Sequence, residues 1–130
     1  MNVGDELGPI SIPVTLQRLV MEAGANRDFS LIHHDRDVAK ATGAPDAYMN
    51  TFFIAGMFER LLREWMGDAG RLKKISNLRM KIFNAVGDTV AFAGTVSDID
   101  TASGQVVVNL RSETDNGESV TAQATVTLPR

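Results

Sequence analysis

The chain has 130 residues, which is enough for one domain with a substantial core and too few for two. Hydrophobic residues make up 44% and charged residues 22%, so the composition is that of a globular protein and not of a disordered one. The net charge of −3 argues against nonspecific nucleic-acid binding, and the absence of cysteine excludes disulfides, thiolate catalysis and Cys-ligated zinc.

Metal, membrane and export signals are also weak in this sequence. Two histidines are too few for a histidine-rich metal site, so no metal is expected. The first ten residues, MNVGDELGPI, lack the basic and apolar regions of a secretory signal. The longest uncharged, apolar-rich stretch, 47–58, is too short to span a bilayer. We therefore expect a single cytoplasmic domain over residues 1–130, with no membrane segment.

Three helices are predicted in the first half of the chain. The first is indicated by apolar residues at helical spacing, namely Leu16, Leu19, Val20 and Ala23. Thr15 is its predicted N-cap and Gly24 its predicted end. Asp35 is predicted to cap a second, short helix that ends at Gly43. The third and longest helix is predicted over residues 50–70.

The first half of this long helix, residues 52–58, is apolar on every side, so it should be enclosed by other structure. Gly56 lies inside it and weakens the helix by roughly 1 kcal/mol relative to alanine, which predicts a close backbone approach there. The aromatic residues of this helix are interpreted as core, namely Phe52, Phe53, Phe58 and Trp65. A few of its apolar side chains could instead line a pocket, namely Met49, Phe52, Phe53 and Met57.

After residue 70 the apolar period changes from that of a helix to that of strands. Four strands are predicted, at 75–83, 88–100, 105–114 and 118–128, with a further short strand near 10–12. The breaks at 85–88, 103–104 and 115–117 have turn chemistry. One-sided alternation predicts an antiparallel sheet with one face covered, and only the long helix can cover it. The sequence therefore predicts an α+β fold with an antiparallel sheet wrapped around one central helix.

Both histidines of the chain lie in one polar segment, RDFSLIHHD, at positions 27–35. An imidazole can give or take a proton near neutral pH, and a neighbouring carboxylate can orient it. Asp35 is accounted for as a helix cap, which leaves Asp28 without a structural role. Asp28 and His33 are therefore the candidate catalytic pair, whereas His34 is predicted to point away from His33 at the surface. A structural loop histidine beside a carboxylate is the alternative interpretation.

The segment 23–56 resembles the MaoC-like dehydratases, also called the R-specific enoyl-CoA hydratase family, which have the hotdog fold. Their motif runs Gly-Asp-x-Asn-Pro-Ile-His-x-Asp and is followed by an Ala-Lys-x-x-Gly helix end. Seven residues stand at matching positions, namely Asp28, Ile32, His33, Asp35, Ala39, Lys40 and Gly43. The later stretch VGDTVAFAGTV is also similar to the family pattern, so the resemblance extends from about residue 14 to 96. The segment 43–75 looks like the small MaoC-like subunits of actinobacterial steroid side-chain degradation.

The sequence departs from the family motif at two places. Ser30-Leu31 replaces Asn-Pro, and Met49-Asn50 replaces the His-Gly pair at the start of the hotdog helix. In the family, the backbone N–H of that glycine binds the thioester carbonyl. The resemblance therefore implies that Asn50, with its neighbours Met49 and Thr51, forms the oxyanion and substrate-binding end of the long helix.

The resemblance implies an enoyl-CoA hydratase, which adds water reversibly to a trans-2-enoyl-CoA and gives the (3R)-3-hydroxyacyl-CoA. No cofactor is implied, because CoA is part of the substrate. The implied partner is a second copy or a second MaoC-like chain that supplies part of the acyl pocket, and a partly apolar outer sheet face also favours a dimer. An acyl-CoA thioesterase and a non-catalytic, pocket-shaping subunit remain alternatives.

A small basic run, Arg71, Lys73 and Lys74, follows the long helix. It is interpreted as a solvated turn, and with an anionic ligand it could instead meet phosphate groups. The size of the acyl group, the direction of the reaction and the assignment of each proton transfer to Asp28 or His33 stay open at this point.

Overall fold

The computed structural model describes residues 1–28 and 30–129 of the chain. The elements follow in the order β1 (Glu6–Pro13), α1 (Leu16–Ala25), a 3-10 turn (Leu31–His33), α2 (Arg36–Ala41), α3 (Thr51–Met66), β2 (Arg71–Met80), β3 (Thr89–Asp100), β4 (Gln105–Thr114) and β5 (Gly117–Thr127). The predicted succession of short helices, one long helix and a run of strands is confirmed. No helix in the described part of the chain is long and apolar enough to cross a membrane.

The five strands form one antiparallel sheet in the order β1-β3-β4-β5-β2. Along β3, β4 and β5 buried residues alternate with partly exposed ones, because successive side chains of a strand point to opposite faces. Helix α3 packs against β1, β2 and β3 and covers the buried face. The expected arrangement of one helix on one face of an antiparallel sheet is therefore confirmed.

The two predicted N-caps, Thr15 and Asp35, are present, and Asn50 is a third N-cap that was not predicted. The side chains of Thr15, Asp35 and Asn50 each accept a hydrogen bond from a backbone N–H in the first turn of α1, α2 and α3. The ends of the helices differ more from the prediction. Helix α3 ends at Met66, before the predicted end at Gly70, and Gly67 follows as its C-cap with a φ of 68° that suits glycine.

The apolar first half of α3 is not enclosed on all sides by this chain. Phe58 is completely buried, and Phe53 and Trp65 are partly buried, but Phe52 is 64% exposed. The interpretation of Phe52 as a core residue is therefore wrong for the single chain. Gly56 is exposed, and a Cβ built on it would meet nothing within 4 Å, so the predicted close backbone approach is also absent.

The first and second strands differ from their predicted bounds. β1 is longer than predicted, and β2 begins at Arg71 and not at Ile75. The basic residues Arg71, Lys73 and Lys74 are thus not a turn but part of an edge strand. Lysine and arginine on an edge strand hinder unwanted pairing with other chains.

The sheet face that points away from α3 is mostly polar on β3, β4 and β5. Its partly exposed side chains are mainly threonine, serine, glutamine and arginine, with Ala91, Ala93 and Val107 as apolar exceptions. The sequence predicted a partly apolar outer face, but few of the side chains on this face of β3, β4 and β5 are apolar. Large exposed apolar side chains lie instead on the helical side, and they include Val20, Met21, Leu31 and Phe52.

Candidate active site

The end of α1 sets the position of Asp28. Its backbone N–H donates to the carbonyl of Ala23 at 2.8 Å, after Arg27 has reversed the chain with a φ of 55°. Its carboxylate Oδ1 accepts the N–H of Ser30 at 3.2 Å. The side chain remains 27% exposed, so the carboxylate can reach both water and a substrate.

The side chain of His33 is almost buried, and its orientation is set by the backbone. Nδ1 lies 2.8 Å from the carbonyl oxygen of Tyr48. A carbonyl oxygen only accepts, so Nδ1 carries the hydrogen and the neutral ring has its lone pair on Nε2. Nε2 lies 3.4 Å from Oδ2 of Asp28. The structure thus brings the predicted pair together, with the free ring nitrogen facing the carboxylate.

The side chain of Asn50 also reaches Asp28. Its Oδ1 accepts the N–H of Phe53 at 2.7 Å and so caps α3. Its Nδ2 donates to Oδ2 of Asp28 at 3.3 Å. Oδ2 therefore lies between an amide N–H from one side and the imidazole of His33 from the other.

The ring of Tyr48 packs against the imidazole of His33. It meets the imidazole edge to face, with centroids 5.1 Å apart, and packs on Phe83 at 4.4 Å. Burial raises the pKa of the Tyr48 hydroxyl above its ordinary value, so this group stays protonated near neutral pH. The local sequence around positions 27–35 gives no indication of Tyr48, because the contact between Tyr48 and His33 spans fifteen residues.

The segment 44–50 that carries Tyr48 and Asn50 is pinned at several points. Arg36 donates two hydrogen bonds to Asp46, at 2.8 and 2.7 Å, and this interaction holds the pKa of the Asp46 carboxyl below its usual range. Ala47 accepts the N–H of Val86, and Met49 donates to the carbonyl of Asn84. The path of this segment is therefore fixed by both α2 and the connection between β2 and β3.

The three residues predicted to bind the oxyanion and substrate, Met49, Asn50 and Thr51, differ in whether their backbone N–H groups are available. Met49 is completely buried and its N–H is already used, so it is poorly placed to bind substrate directly. The N–H groups of Asn50, Thr51 and Phe52 have no partner among residues 1–28 and 30–129. They belong to the first turn of α3, where unpaired N–H groups and the helix dipole favour a developing negative charge.

The remaining predictions concern His34, metals and the acyl pocket. His34 is half-buried and has no contact with Asp28 among the contacts of the described residues. The described part of the chain contains no group of three or more His, Asp or Glu residues that could hold a metal ion. Three cavities of about 260, 350 and 290 Å³ lie at the surface of the described residues. None of these three cavities is lined by Asp28, His33 or Asn50.

Comparisons with known proteins show what this fold and site resemble. No family model matches the chain. The 3-oxo-4,17-pregnadiene-20-carboxyl-CoA hydratase beta subunit of Mycobacterium tuberculosis is 35% identical over 104 residues, which cover 80% of this chain and 78% of the relative. A chain in the crystal structure of the ChsH1-ChsH2 complex from Mycobacterium tuberculosis superposes with a TM-score of 0.91 and 30% identity, covering 98% of each chain. The (R)-hydratase from A. caviae involved in PHA biosynthesis gives 0.89 with 24% identity, covering 99% of this chain and 98% of that one, and so supports the fold.

The fold is therefore the hotdog fold that the sequence resemblance implied, an α+β sheet packed on one central helix. The chain belongs to the MaoC-like, R-specific hydratase family, and its relatives include the beta subunit of a hydratase that acts on a steroid acyl-CoA.

Proposed function

We propose that this chain is the catalytic subunit of an enoyl-CoA hydratase that converts a trans-2-enoyl-CoA reversibly into the (3R)-3-hydroxyacyl-CoA. The observation that carries the proposal is the 3.4 Å separation between Nε2 of His33 and Oδ2 of Asp28, with the Nδ1 hydrogen bonded to a backbone carbonyl. An imidazole lone pair and a carboxylate oxygen at this separation can both accept hydrogen bonds from one water molecule.

In the hydration direction, this water attacks C3 of the enoyl group. One member of the pair takes a proton from the water as the C–O bond forms, and a proton is delivered to C2. General acid–base catalysis of this kind typically contributes about 10²–10⁴-fold. The 27% exposure of the Asp28 side chain, against 9% for His33, gives the carboxylate the easier exchange of protons with solvent.

The first turn of α3 is the proposed site for the thioester carbonyl. Negative charge develops on that oxygen as C3 is attacked, and the N–H groups of Asn50 and Thr51, which have no partner within the described part of the chain, can donate to it. Removing one preorganised donor of this type typically lowers kcat by about 10²–10³-fold. Because CoA is part of the substrate, the reaction as proposed requires no metal and no redox cofactor.

We further propose that the substrate is bulky and steroid-derived and that a second MaoC-like chain completes its pocket. The 35% identical relative is the beta subunit of a 3-oxo-4,17-pregnadiene-20-carboxyl-CoA hydratase, and the 30% identical structure is a complex of two different proteins. Leu31 and Phe52, which are 50% and 64% exposed, lie two positions from His33 and Asn50 in sequence and offer apolar surface for such a partner.

The decisive experiment measures loss of enoyl-thioester absorbance with crotonyl-CoA and with a steroid enoyl-CoA. The chain is assayed alone and as the complex isolated with its co-purifying partner. We expect His33→Ala to abolish activity of the complex and His34→Ala, at the neighbouring position, to leave it nearly unchanged. Activity of the complex that survives His33→Ala would contradict the proposal and assign the chemistry to the partner.

A thioesterase function is less well supported. Such enzymes generally carry a carboxylate on or beside the central helix, and here the two candidates are Asp46 and Glu59. Asp46 is bound by Arg36, and Glu59 pairs with Arg63 along the exposed side of α3. Release of free CoA thiol in the same assay distinguishes hydrolysis from hydration, since hydration leaves the thioester intact.

A further inference from the structure

We propose that Asn50 is a positioning residue for Asp28, and that its side-chain amide holds Oδ2 of Asp28 beside His33. This inference rests on the proposed function, in which Asp28 and His33 hold the attacking water. It differs from the role of the Asn50 backbone N–H at the thioester carbonyl, because it concerns the amide group of the side chain alone.

The helix cap leaves the Asn50 amide only one orientation. The N–H of Phe53 can only donate, so the amide atom that faces it at 2.7 Å must be the oxygen Oδ1. Nδ2 then points to the other side, where Oδ2 of Asp28 lies at 3.3 Å. The backbone of α3 thereby dictates that Asp28 meets a hydrogen-bond donor and not an acceptor.

The other two helix caps show that this second contact is not needed for capping. Thr15 accepts only the N–H of Arg18, and Asp35 accepts only N–H groups of its own first turn. Asn50 alone among the three caps of the described helices bonds a side chain 22 residues away. It is also the buried one, with 4% exposure, so its amide makes this contact with little competition from water.

Among the described residues, three groups face the Asp28 carboxylate, and they come from three different segments. The imidazole of His33 comes from the 3-10 turn, the amide of Asn50 from the start of α3, and the N–H of Ser30 from the intervening chain. Two of the three are neutral donors. A hydrogen-bond donor favours the charged form of the carboxyl that it contacts, so an amide donor at this position suits a carboxylate acceptor.

The test exchanges the amide for a carboxylate. Asn50→Asp keeps the size of the side chain and an equally good cap, but it turns a donor towards Asp28 into a second negative charge. We expect the acidic limb of the pH profile of kcat/KM, measured on the complex, to move upward by about one pH unit or more. Thr15→Asp is the matched control, because it places the same residue on the exposed N-cap of α1, and its profile should equal that of wild type.

A second readout does not depend on activity. In His34→Gln protein, which has a single histidine, an NMR titration follows His33 directly, and Asn50→Asp should move its titration to higher pH because a negative charge is added nearby. Asn50→Ser, which keeps a capping oxygen and loses the amide donor, should shift the acidic limb of activity in the same direction by a smaller amount.

Unchanged activity profiles in both Asn50 variants, with an unchanged His33 titration in Asn50→Asp, would overturn the inference and leave Asn50 as a helix cap only. A wild-type complex without hydratase activity contradicts the proposed function instead, and the NMR comparison then still decides whether the Asn50 amide acts on the Asp28–His33 pair.

Discussion

Phe52 and Phe58 lie six residues apart on α3, yet Phe52 is 64% exposed whereas Phe58 is completely buried. The ring of Phe58 packs edge to face against Phe92 of β3, with centroids 5.4 Å apart. Helix α3 therefore carries apolar side chains on two sides, and only one of these sides is covered by this chain. One is satisfied by the sheet of the same chain, and the other is open beside the candidate active site.

This difference gives the first prediction. Phe58→Ala should lower the free energy of unfolding of the chain by about 3–5 kcal/mol, as expected for a large core cavity. Phe52→Ala should change it by less than about 0.5 kcal/mol, because the ring has few contacts to lose. Denaturant unfolding of the two variants checks this difference.

The same pair of variants tests the surface proposed for the partner. If a second MaoC-like chain covers the start of α3, Phe52→Ala should weaken binding of that chain while leaving the fold of this one intact. Titration of the partner into the variant measures this. Equal affinity for wild type and Phe52→Ala would place the interface elsewhere.

The second prediction concerns the catalytic carboxylate. Asp28→Asn keeps the shape of the side chain but removes its charge, and hydratase activity of the complex should fall by about 10²–10⁴-fold. Asp35→Asn is the matched control, because asparagine caps a helix as well as aspartate does and Asp35 serves only α2. A similar loss in both variants would indicate that the polar segment matters for folding rather than for chemistry.

The third prediction follows from the Arg36–Asp46 pair. The guanidinium of Arg36 holds the pKa of Asp46 below its ordinary value, so the unfolded chain binds the proton more readily than the folded one. The stabilisation is therefore present above the unfolded pKa of about 3.9 and is lost as the pH falls through the lower folded pKa. We expect wild type to have a higher Tm than Asp46→Asn by a constant margin from pH 7 to about 5, and this margin should shrink below about 4. A margin that does not change with pH would show that Asp46 stabilises the chain without its charge.

The fourth prediction concerns a buried polar pair in the sheet. Ser112 on β4 and Ser119 on β5 are completely buried, and their hydroxyl oxygens lie 2.7 Å apart. Ser119→Ala should cost about 1–3 kcal/mol of unfolding free energy, because it deprives the Ser112 hydroxyl of its partner. The double variant with Ser112→Ala should cost less than the sum of the two single changes. Strictly additive losses would contradict this coupling.

The parts of the structure that local rules control were predictable from the sequence. The caps Thr15 and Asp35 and the turn at 115–117 depend on residues within a few positions of each other, and all are found where they were predicted. The pairing of Asp28 with His33 was indicated by the polar segment 27–35 and strengthened by the family motif, which records a spatial contact as a fixed spacing.

The features that were missed depend on distant partners. Arg71 to Lys74 lack strand alternation, and this segment is held in the sheet by its pairing with β5, more than fifty residues later. The same applies to the site, where the contact between Asn50 and Asp28 spans 22 residues. Phe52 shows a different limit of sequence-based prediction. Its apolar side chain indicates burial, but the sequence does not indicate whether this chain or another molecule covers it.

The hydrogen bond from His33 to the carbonyl of Tyr48 has a consequence for how this site can evolve. The group that fixes the imidazole is a backbone atom, so no replacement of the residue at position 48 removes it. The tyrosine ring above the imidazole can therefore change, and with it the room left for the acyl group, while the tautomer of His33 is inherited unaltered. Substrate range can diverge at this position without a loss of the underlying chemistry.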